Sequence, residues 1–235
     1  MRFTDSPVVE IRVRGHLLTF EQDNGSMHVG TSVWPCSLVL VKFLDRWLSA
    51  EGSTAATTTT TVTNPYAPLF DFRNKRGVEL GAGCGVAGMG LSLLGLDVVL
   101  TDIAPVMPAL KRNLKRNLPS SSASSRPTAG KLKIAQLYWN NRAQIQALKP
   151  PFDFVIATDV VYLEETVEPL LSAMDALAGP ATLILLGYQL RSPEAHQKFW
   201  ELCPTLFSVD KVPHEHLHPD YAYEETDVYI LRKRA

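Results

Sequence analysis

The sequence lacks an excess of either charge: 23 Lys and Arg face 24 Asp and Glu over 235 residues, a formal net charge of −1. This balance disfavours a broad nucleic-acid-binding surface and leaves room only for a local basic patch. The chain also lacks an apolar run near the roughly 18 residues of a membrane span. Its first residues, MRFTDSPVVE, lack the apolar stretch of a signal peptide. We therefore expect neither a nucleic-acid partner nor a membrane partner.

Cysteine is scarce as well. Cys36, Cys84 and Cys203 lie far apart, are odd in number and form no CxxC pair. That pattern argues against a zinc knuckle or a disulfide framework and favours a reducing compartment. We expect a cytoplasmic protein, with the nucleus as a second compartment. Apolar residues make up 46% of the chain, enough for a core, and the length predicts a single domain over 1–235. We also expect a monomer.

The first 48 residues predict a β-hairpin followed by a helix. Val8 to Val13 alternates apolar and polar residues, Arg14-Gly15 is typical of a turn, and Leu17 to Glu21 predicts the returning strand. Trp34-Pro35 then begins a helical pattern. Two Ser/Thr-rich segments, 49–64 and 119–130, are predicted to be flexible surface loops inside the domain.

Short apolar runs then alternate with helical patterns, which is typical of a parallel sheet with helices on both faces. The two final runs have no helix between them, which predicts a terminal antiparallel strand pair. Predicted strands are Val78 to Leu80, Val98 to Thr101, Leu132 to Leu137, Phe154 to Thr158, Leu183 to Leu186, Phe207 to Val212 and Val228 to Leu231. Predicted helices are 86–95, 106–117, 141–148, 164–178 and 193–202. The fold class is α/β, a doubly wound Rossmann-like sheet.

The strongest local signal is a glycine-rich turn in Val78-Glu-Leu-Gly-Ala-Gly-Cys-Gly-Val-Ala-Gly88. Glycines at 81, 83 and 85 let a strand turn sharply into a helix with its backbone close to a ligand. A tight strand–helix connection without a ligand is the plain alternative. The spacing Gly83-x-Gly85-x-x-Gly88 also fits a dinucleotide site, so the glycines alone leave the cofactor open.

Acidic residues narrow the choice of cofactor. Asp102 follows the next predicted strand, 21 residues after Gly81, where a carboxylate binds ribose hydroxyls; this position suits either cofactor. Glu79, two positions before the first glycine, is unusual for a dinucleotide site and normal where a cationic sulfonium must sit. Asp159 and Tyr162 follow the fourth predicted strand, at the carboxyl edge where such sheets bind ligands. Together these residues indicate a site at one edge of the sheet.

Asp159 and Tyr162 each have a structural alternative. Asp159 could cap the 164–178 helix, and Tyr162, one helical turn further on, could pack in the core. We expect the pair to lie opposite the glycine turn, facing a reacting group.

These motifs resemble the seven-strand S-adenosylmethionine-dependent methyltransferases, and within them the family-16 protein-lysine methyltransferases, the methyltransferase-like 21 group. The resemblance covers roughly residues 8–233. The matching elements are Gly30-Thr-Ser-Val-Trp34-Pro, Glu79-Leu-Gly-Ala-Gly83, Thr101-Asp102, Tyr138-Trp139, Asp159-Val-Val-Tyr162-Leu-Glu-Glu-Thr and His218-Pro-Asp-Tyr221. Pro35-Cys36 departs from the Asp-Ala that many members carry. The resemblance implies a seven-stranded class I methyltransferase sheet with the N-terminal hairpin as an extension.

The resemblance also implies a site. S-adenosylmethionine would be the cofactor, with its amino-acid part near Gly81, Ala82 and Gly83 and its ribose on Asp102. Trp139 would pack on the adenine, although an ordinary core tryptophan is the alternative. The further cofactor-binding residues would be Trp34, Glu79 and the backbone at Ala157. Asp159 and Tyr162 would be catalytic, because they would shape the channel for the acceptor lysine.

The implied function is methyl transfer to a lysine ε-amine of a non-histone protein, either a p97-type AAA ATPase or an Hsp70 chaperone. A methyltransferase fold that binds such a partner without turnover is one alternative, and a nucleic-acid or small-molecule methyltransferase is another. Nucleic-acid enzymes that methylate base amines carry Asn-Pro-Pro-Tyr where this chain has Asp159-Val-Val-Tyr162. His214, His216 and His218 with Asp220 suggest a metal site only if they share a strand face; we expect no metal.

Overall fold

The computed structural model describes residues 4–23, 25–49, 64–118 and 129–234. Most of the two segments predicted to be loops, 49–64 and 119–130, therefore lies outside the described residues. The chain begins with the predicted hairpin, in which β1 (Val8–Val13) pairs antiparallel with β2 (His16–Glu21). Arg14 and Gly15 both have positive φ, 47° and 77°, which is the geometry of a tight two-residue hairpin turn.

A seven-stranded sheet forms the centre of the molecule. Its strands are β3 (Arg76–Leu80), β4 (Asp97–Asp102), β5 (Leu132–Gln136), β6 (Phe152–Thr158), β7 (Ala178–Tyr188), β8 (Phe207–Lys211) and β9 (Asp227–Lys233). Their order in the sheet is β5-β4-β3-β6-β7-β9-β8; β9 runs antiparallel to β7 and β8, and the other pairs are parallel. The predicted doubly wound sheet and its terminal antiparallel pair are confirmed.

Helices cover both faces of this sheet. They are α1 (Pro35–Ser49), α2 (Val86–Leu93), α3 (Met107–Asn117), α4 (Arg142–Ala147), α5 (Val167–Leu177) and α6 (Pro193–Leu206). On β6, Phe154 and Ile156 belong to one hydrophobic cluster, with α1 to α3, while Val155 and Ala157 belong to the other, with α4 to α6. Successive residues of a strand point to opposite faces, so a strand covered on both sides is apolar throughout.

Most element boundaries differ from the prediction by one or two residues, and three differ by more. The predicted 164–178 helix begins as a 3-10 turn, Glu164–Thr166, and becomes α-helical only at Val167. α6 continues beyond the predicted residue 202, because Ala195, Phe199 and Cys203 recur every four residues on its buried face. β7 begins at Ala178, because Ala178 pairs with Phe152 before the apolar run that the sequence pattern detects.

The hairpin is bound to α3 by two asparagine side chains. Asn113 Oδ1 accepts from Glu21 N–H (2.8 Å) and its Nδ2 donates to Glu21 O (3.1 Å). Asn117 makes the same pair of bonds with Thr19, each of 2.9 Å. The outer edge of β2 is thus hydrogen-bonded to a helix much as it would be to another strand.

Among the described residues, no helix combines the length and the apolar composition that a membrane span requires.

Candidate active site

The glycine-rich turn lies at the carboxyl end of β3, where the sheet order reverses between β3 and β6. Gly81, Gly83 and Gly85 all have positive φ, at 67°, 55° and 86°, a conformation that L side chains rarely adopt. A Cβ at Gly83 would also lie 2.9 Å from the backbone oxygen of Gly30. The turn therefore needs glycine both for its conformation and for its contact with the segment that precedes α1.

Asp102 ends β4 and holds the turn in place. Its Oδ2 accepts from Gly83 N–H and its Oδ1 from Ile103 N–H, each at 2.7 Å. The residue is 8% exposed. Burial raises the pKa of this carboxyl, and the two hydrogen bonds act in the opposite direction. Each oxygen keeps a second lone pair, so Asp102 is able to accept further hydrogen bonds from a ligand.

A cavity of about 680 Å³ opens at this edge of the sheet. A volume of this size is typical of small-molecule and cofactor sites. Eight of the ten predicted site residues line it: Trp34, Gly81, Ala82, Gly83, Asp102, Trp139, Asp159 and Tyr162. Glu79 and Ala157 are not among its lining residues. Ala157 is fully buried on β6 beside Leu80 of β3, one residue before Thr158, which does line the cavity.

Glu79 points away from the cavity, into the packing beneath α2. It is 1% exposed, and its Oε2 accepts from Gly88 N–H at 2.9 Å. Among the described residues its Oε1 finds no partner. Burial, together with the nearby charge of Asp102, raises the pKa of Glu79 to about 8 despite the hydrogen bond from Gly88. Glu79 is thus mostly protonated at neutral pH, and its side chain contacts α2 and not the cavity.

Because Glu79 is buried, we predict how the stability of the protein depends on pH. Its folded pKa, about 8, lies above its ordinary value of 4.5, so the folded state binds the proton more tightly than the unfolded state. This contribution to stability is complete below pH 4.5 and is lost as pH rises toward 8. Glu79→Gln, which cannot titrate, should flatten the decline of Tm across that interval. Glu201→Gln, at an exposed position on α6, is the control; equal slopes for the wild type and Glu79→Gln would contradict the prediction.

Two tryptophans, Trp34 and Trp139, line the cavity. Trp34, just before α1, donates from Nε1 to Val29 O (2.9 Å) and lines the cavity with that segment. Trp139 follows β5 and is half-buried, with its Cζ2 3.4 Å from where a Cβ on Gly81 would lie. Trp139 is therefore a wall of the cavity as well as part of the packing. Sequence reasoning did not single out Ile103 and Asn140 as lining residues, although each adjoins a predicted one.

Asp159 lies at the carboxyl end of β6 and lines the cavity. It has a φ of 59°, and its N–H donates to Gly187 O at 2.9 Å. Both carboxylate oxygens accept from Arg191, as a bidentate ion pair. The alternative role as a helix cap is wrong, because Thr166 is the N-cap residue of α5 and the preceding 3-10 turn follows Leu163.

Tyr162 lines the same cavity as Asp159. It does not lie one helical turn beyond Asp159, as the sequence predicted, because residues 160–163 are irregular and form no helix. The residue is partly buried; burial, with the charges of Asp102 and Glu165, raises the pKa of its phenol. The hydroxyl therefore stays protonated at neutral pH and remains a hydrogen-bond donor.

The histidine-rich loop has a structural role. His214–His216 forms a 3-10 turn, and not the strand that a shared ligand face would require. His216 Nδ1 lies 2.8 Å from Tyr66 Oη, and Trp47 Nε1 donates to His216 O at 2.9 Å. In the described ranges, no group of three or more His, Cys, Asp or Glu side chains is placed to hold a metal ion.

Solved structures share this fold. One is the Thermus thermophilus 16S rRNA N2 G1207 methyltransferase (RsmC) in complex with AdoMet and guanosine, with TM-score 0.56 and 19% identity over 97% of this chain and 50% of that one. Another is a TehB-like SAM-dependent methyltransferase from Corynebacterium glutamicum, with TM-score 0.51 and 15% identity over 86% and 89%. At these identities the likeness concerns the fold alone, and that fold is the Rossmann-like methyltransferase fold.

The chain belongs to the lysine methyltransferase family, whose sequence model matches residues 13–204. It is therefore an S-adenosylmethionine-dependent protein-lysine methyltransferase. Protein N-lysine methyltransferase METTL21A of Danio rerio is 27% identical over 95% of this chain and 85% of its own. EEF1A lysine methyltransferase 3 of Mus musculus is 27% identical over 94% and 78%. The sequence-based expectations for fold, enzyme class and cofactor are confirmed.

Proposed function

We propose that this enzyme methylates a lysine ε-amine on a folded non-histone protein, and that Asp159 and Tyr162 receive that amine. The observation that carries the proposal is the shared cavity. The glycine turn and Asp102, which suit a nucleoside cofactor, line the same space as Asp159 and Tyr162. A cofactor and an acceptor can therefore meet at the carboxyl edge of the sheet.

The lining residues fit S-adenosylmethionine. When bound, it would supply a methyl group on a positively charged sulfur: a neutral amine would attack the methyl carbon, and the sulfur would leave as the neutral thioether of S-adenosylhomocysteine. Asp102 would accept from the ribose hydroxyls, the backbone of Gly81 to Gly83 would approach the amino-acid part, and Trp139 would pack on the adenine. Trp34 would line the cofactor pocket from the segment before α1. Glu79 and Ala157 would act from behind the cavity, through the turn and through β6.

The acceptor side suits a lysine. A free lysine titrates near 10.4, and it must lose its proton to become a nucleophile. An apolar channel beside a positive charge disfavours the ammonium form and so favours that loss. Asp159 would accept a hydrogen bond from the incoming nitrogen, and the Tyr162 hydroxyl would limit the space around it. Positioning and electrostatics would then supply most of the rate enhancement.

The rim of the cavity favours a protein acceptor over a small molecule. Of the eight large hydrophobic side chains that are exposed in the described residues, five also line the cavity: Met27, Val29, Ile103, Tyr138 and Leu163. Met27 is 94% exposed. Exposed apolar side chains gathered around one opening are typical of a surface that another macromolecule covers.

The experiment is to incubate the enzyme with radiolabelled S-adenosylmethionine and cell lysate, and then with purified p97, Hsp70 and eEF1A. The first two follow from the sequence resemblance, and the third from the name of a relative. We expect protease-sensitive label that acid hydrolysis releases as methyl-lysine. Asp102→Ala enzyme is the inactive control. Label that survives protease but not nuclease would refute the protein acceptor, and a wild type that binds a purified candidate without labelling it would favour a binding module.

A further inference from the structure

A guanidinium holds the Asp159 carboxylate from behind. Arg191 donates from Nε to Oδ1 at 2.8 Å and from Nη2 to Oδ2 at 2.6 Å. The Asp159 side chain is 3% exposed and that of Arg191 is 22% exposed. Arg191 lies between β7 and α6 and is not among the residues that line the cavity. It therefore acts on the cavity through the side chains that it touches.

Arg191 touches a second wall of the cavity as well. Its Cζ lies 4.8 Å from the centre of the Trp34 ring, within the range of a cation–π contact. Trp34 belongs to the segment before α1, whereas Asp159 follows β6. One planar guanidinium thus fixes two cavity walls that are 125 positions apart in the chain. Lysine could supply the charge at this position but not the fork-shaped geometry.

The charged and titratable groups around this pair come from several elements. The Cys36 thiol, at the start of α1, faces Asp159; burial and that carboxylate raise the pKa of the thiol well above its ordinary value, so it is neutral. Glu225 is the next carboxylate to act on Arg191, and its Oε2 accepts from Gln189 at 2.7 Å. The other titratable side chains that line the cavity are His28, Cys84, Asp102, Tyr138, Tyr162 and Glu165.

A buried carboxylate without a counter-ion would hinder methyl transfer to lysine. The acceptor arrives as an ammonium, and an isolated carboxylate would bind that form and disfavour release of the proton to water. A carboxylate that is already paired still accepts a directed hydrogen bond, but the pair carries no net charge. A carboxylate paired with a cation can therefore orient the amine without retaining the proton of the ammonium form.

We propose that Arg191 is a positioning residue for methyl transfer: it neutralises Asp159 and fixes it against Trp34, so that the carboxylate orients the acceptor amine without holding it as an ammonium. This proposal rests on the lysine acceptor proposed above. It gives Arg191 an effect on the pH dependence of the rate, which a purely structural ion pair would not have.

The test is the pH–rate profile of Arg191→Met, measured as label incorporated into lysate protein from about pH 6.5 to about 9.5. We expect the profile to move about one unit to higher pH, and the rate at neutral pH to fall about tenfold, since the neutral fraction of the amine falls by that factor. The affinity for S-adenosylmethionine should stay within about twofold of wild type. Arg191→Lys, which keeps the charge, should keep the wild-type profile at a lower rate.

A second measurement does not need the protein substrate. n-Butylammonium, a mimic of the lysine side chain, is titrated into each enzyme saturated with S-adenosylhomocysteine. Arg191→Met should bind it about tenfold more tightly than wild type, because Asp159 is left without its cation. If the wild type labels no protein, the proposed function fails, while this titration still decides the role of Arg191.

Arg232→Met is the control, because Arg232 forms an ion pair with Asp210 across β9 and β8. This pair lies towards the end of the sheet away from the cavity. It should change neither the pH profile nor the binding of butylammonium. If Arg191→Met does not fold, Arg191→Gln takes its place, since glutamine is neutral but still donates to Asp159. An unshifted profile together with unchanged butylammonium affinity would overturn the proposal, whatever the loss of rate or of Tm.

Discussion

Asp102→Ala should abolish measurable binding of S-adenosylmethionine, with Kd raised at least about a hundredfold. Two effects add. The proposed hydrogen bonds to the ribose are lost, and the N–H groups of Gly83 and Ile103 lose the buried acceptors that hold the glycine turn in shape. Isothermal titration calorimetry on the purified protein measures the first effect, and Tm reports the second.

Asp97→Ala is the matched control for Asp102→Ala. Asp97 begins the same strand, β4, and also accepts a backbone hydrogen bond, from Lys131 N–H at 2.7 Å, but it lies at the other end of the strand. Its removal should lower Tm and leave the affinity for the cofactor unchanged. If Asp102→Ala bound the cofactor within about threefold of wild type, the assignment of Asp102 to the ribose would be wrong.

Asp159→Asn should reduce the methylation rate about a hundredfold or more while the affinity for S-adenosylmethionine stays near that of wild type. Asparagine tolerates the left-handed conformation of this position, with φ of 59°, nearly as well as aspartate does. The substitution therefore removes one charge without straining the backbone. Arg191 is left without its counter-ion, so a fall in Tm should accompany the loss of rate. Rate, Tm and cofactor binding are measured on the same preparation.

Asp153→Asn serves as the comparison for Asp159→Asn. Asp153 lies on the same strand, β6, and also pairs with a cation, since its Oδ1 lies 3.0 Å from Lys75 Nζ, but it lies at the end away from the cavity. The Tm of Asp153→Asn should fall no further than that of Asp159→Asn, and its methylation rate should equal that of wild type. Normal turnover in Asp159→Asn would instead reduce Asp159 to a structural role.

The sequence predicts the fold well because its signals are local. Alternation in Val8 to Val13, apolar runs and the spacing of glycines each specify an element without reference to distant residues. The element boundaries at Val167 and Ala178 escape the pattern, because they depend on a 3-10 turn and on pairing with Phe152. Such contacts leave no periodic trace in the chain.

In the site, too, the sequence predicts what local patterns specify and misses what depends on contacts between distant residues. The positions of Asp102 and Asp159 follow from strand ends, which the apolar runs mark. The direction of the Glu79 side chain depends on the tight packing of Gly88, where a Cβ would lie 2.5 Å from Glu79 Oε2. The pairing of Asp159 with Arg191 joins residues 32 positions apart through a loop, and only the folded chain brings them together.

The asparagine contacts on β2 also bear on solubility. An outer strand with unpaired N–H and C=O groups is a template on which other chains can add a strand, which leads to aggregation. Asn113 and Asn117 occupy the outward-facing groups of Thr19 and Glu21 with side-chain amides, which offer a foreign strand no continuous ladder. The helix that carries these asparagines begins five residues after Asp102. The same helix that follows β4 and Asp102 thus protects the exposed edge of the hairpin from intermolecular pairing.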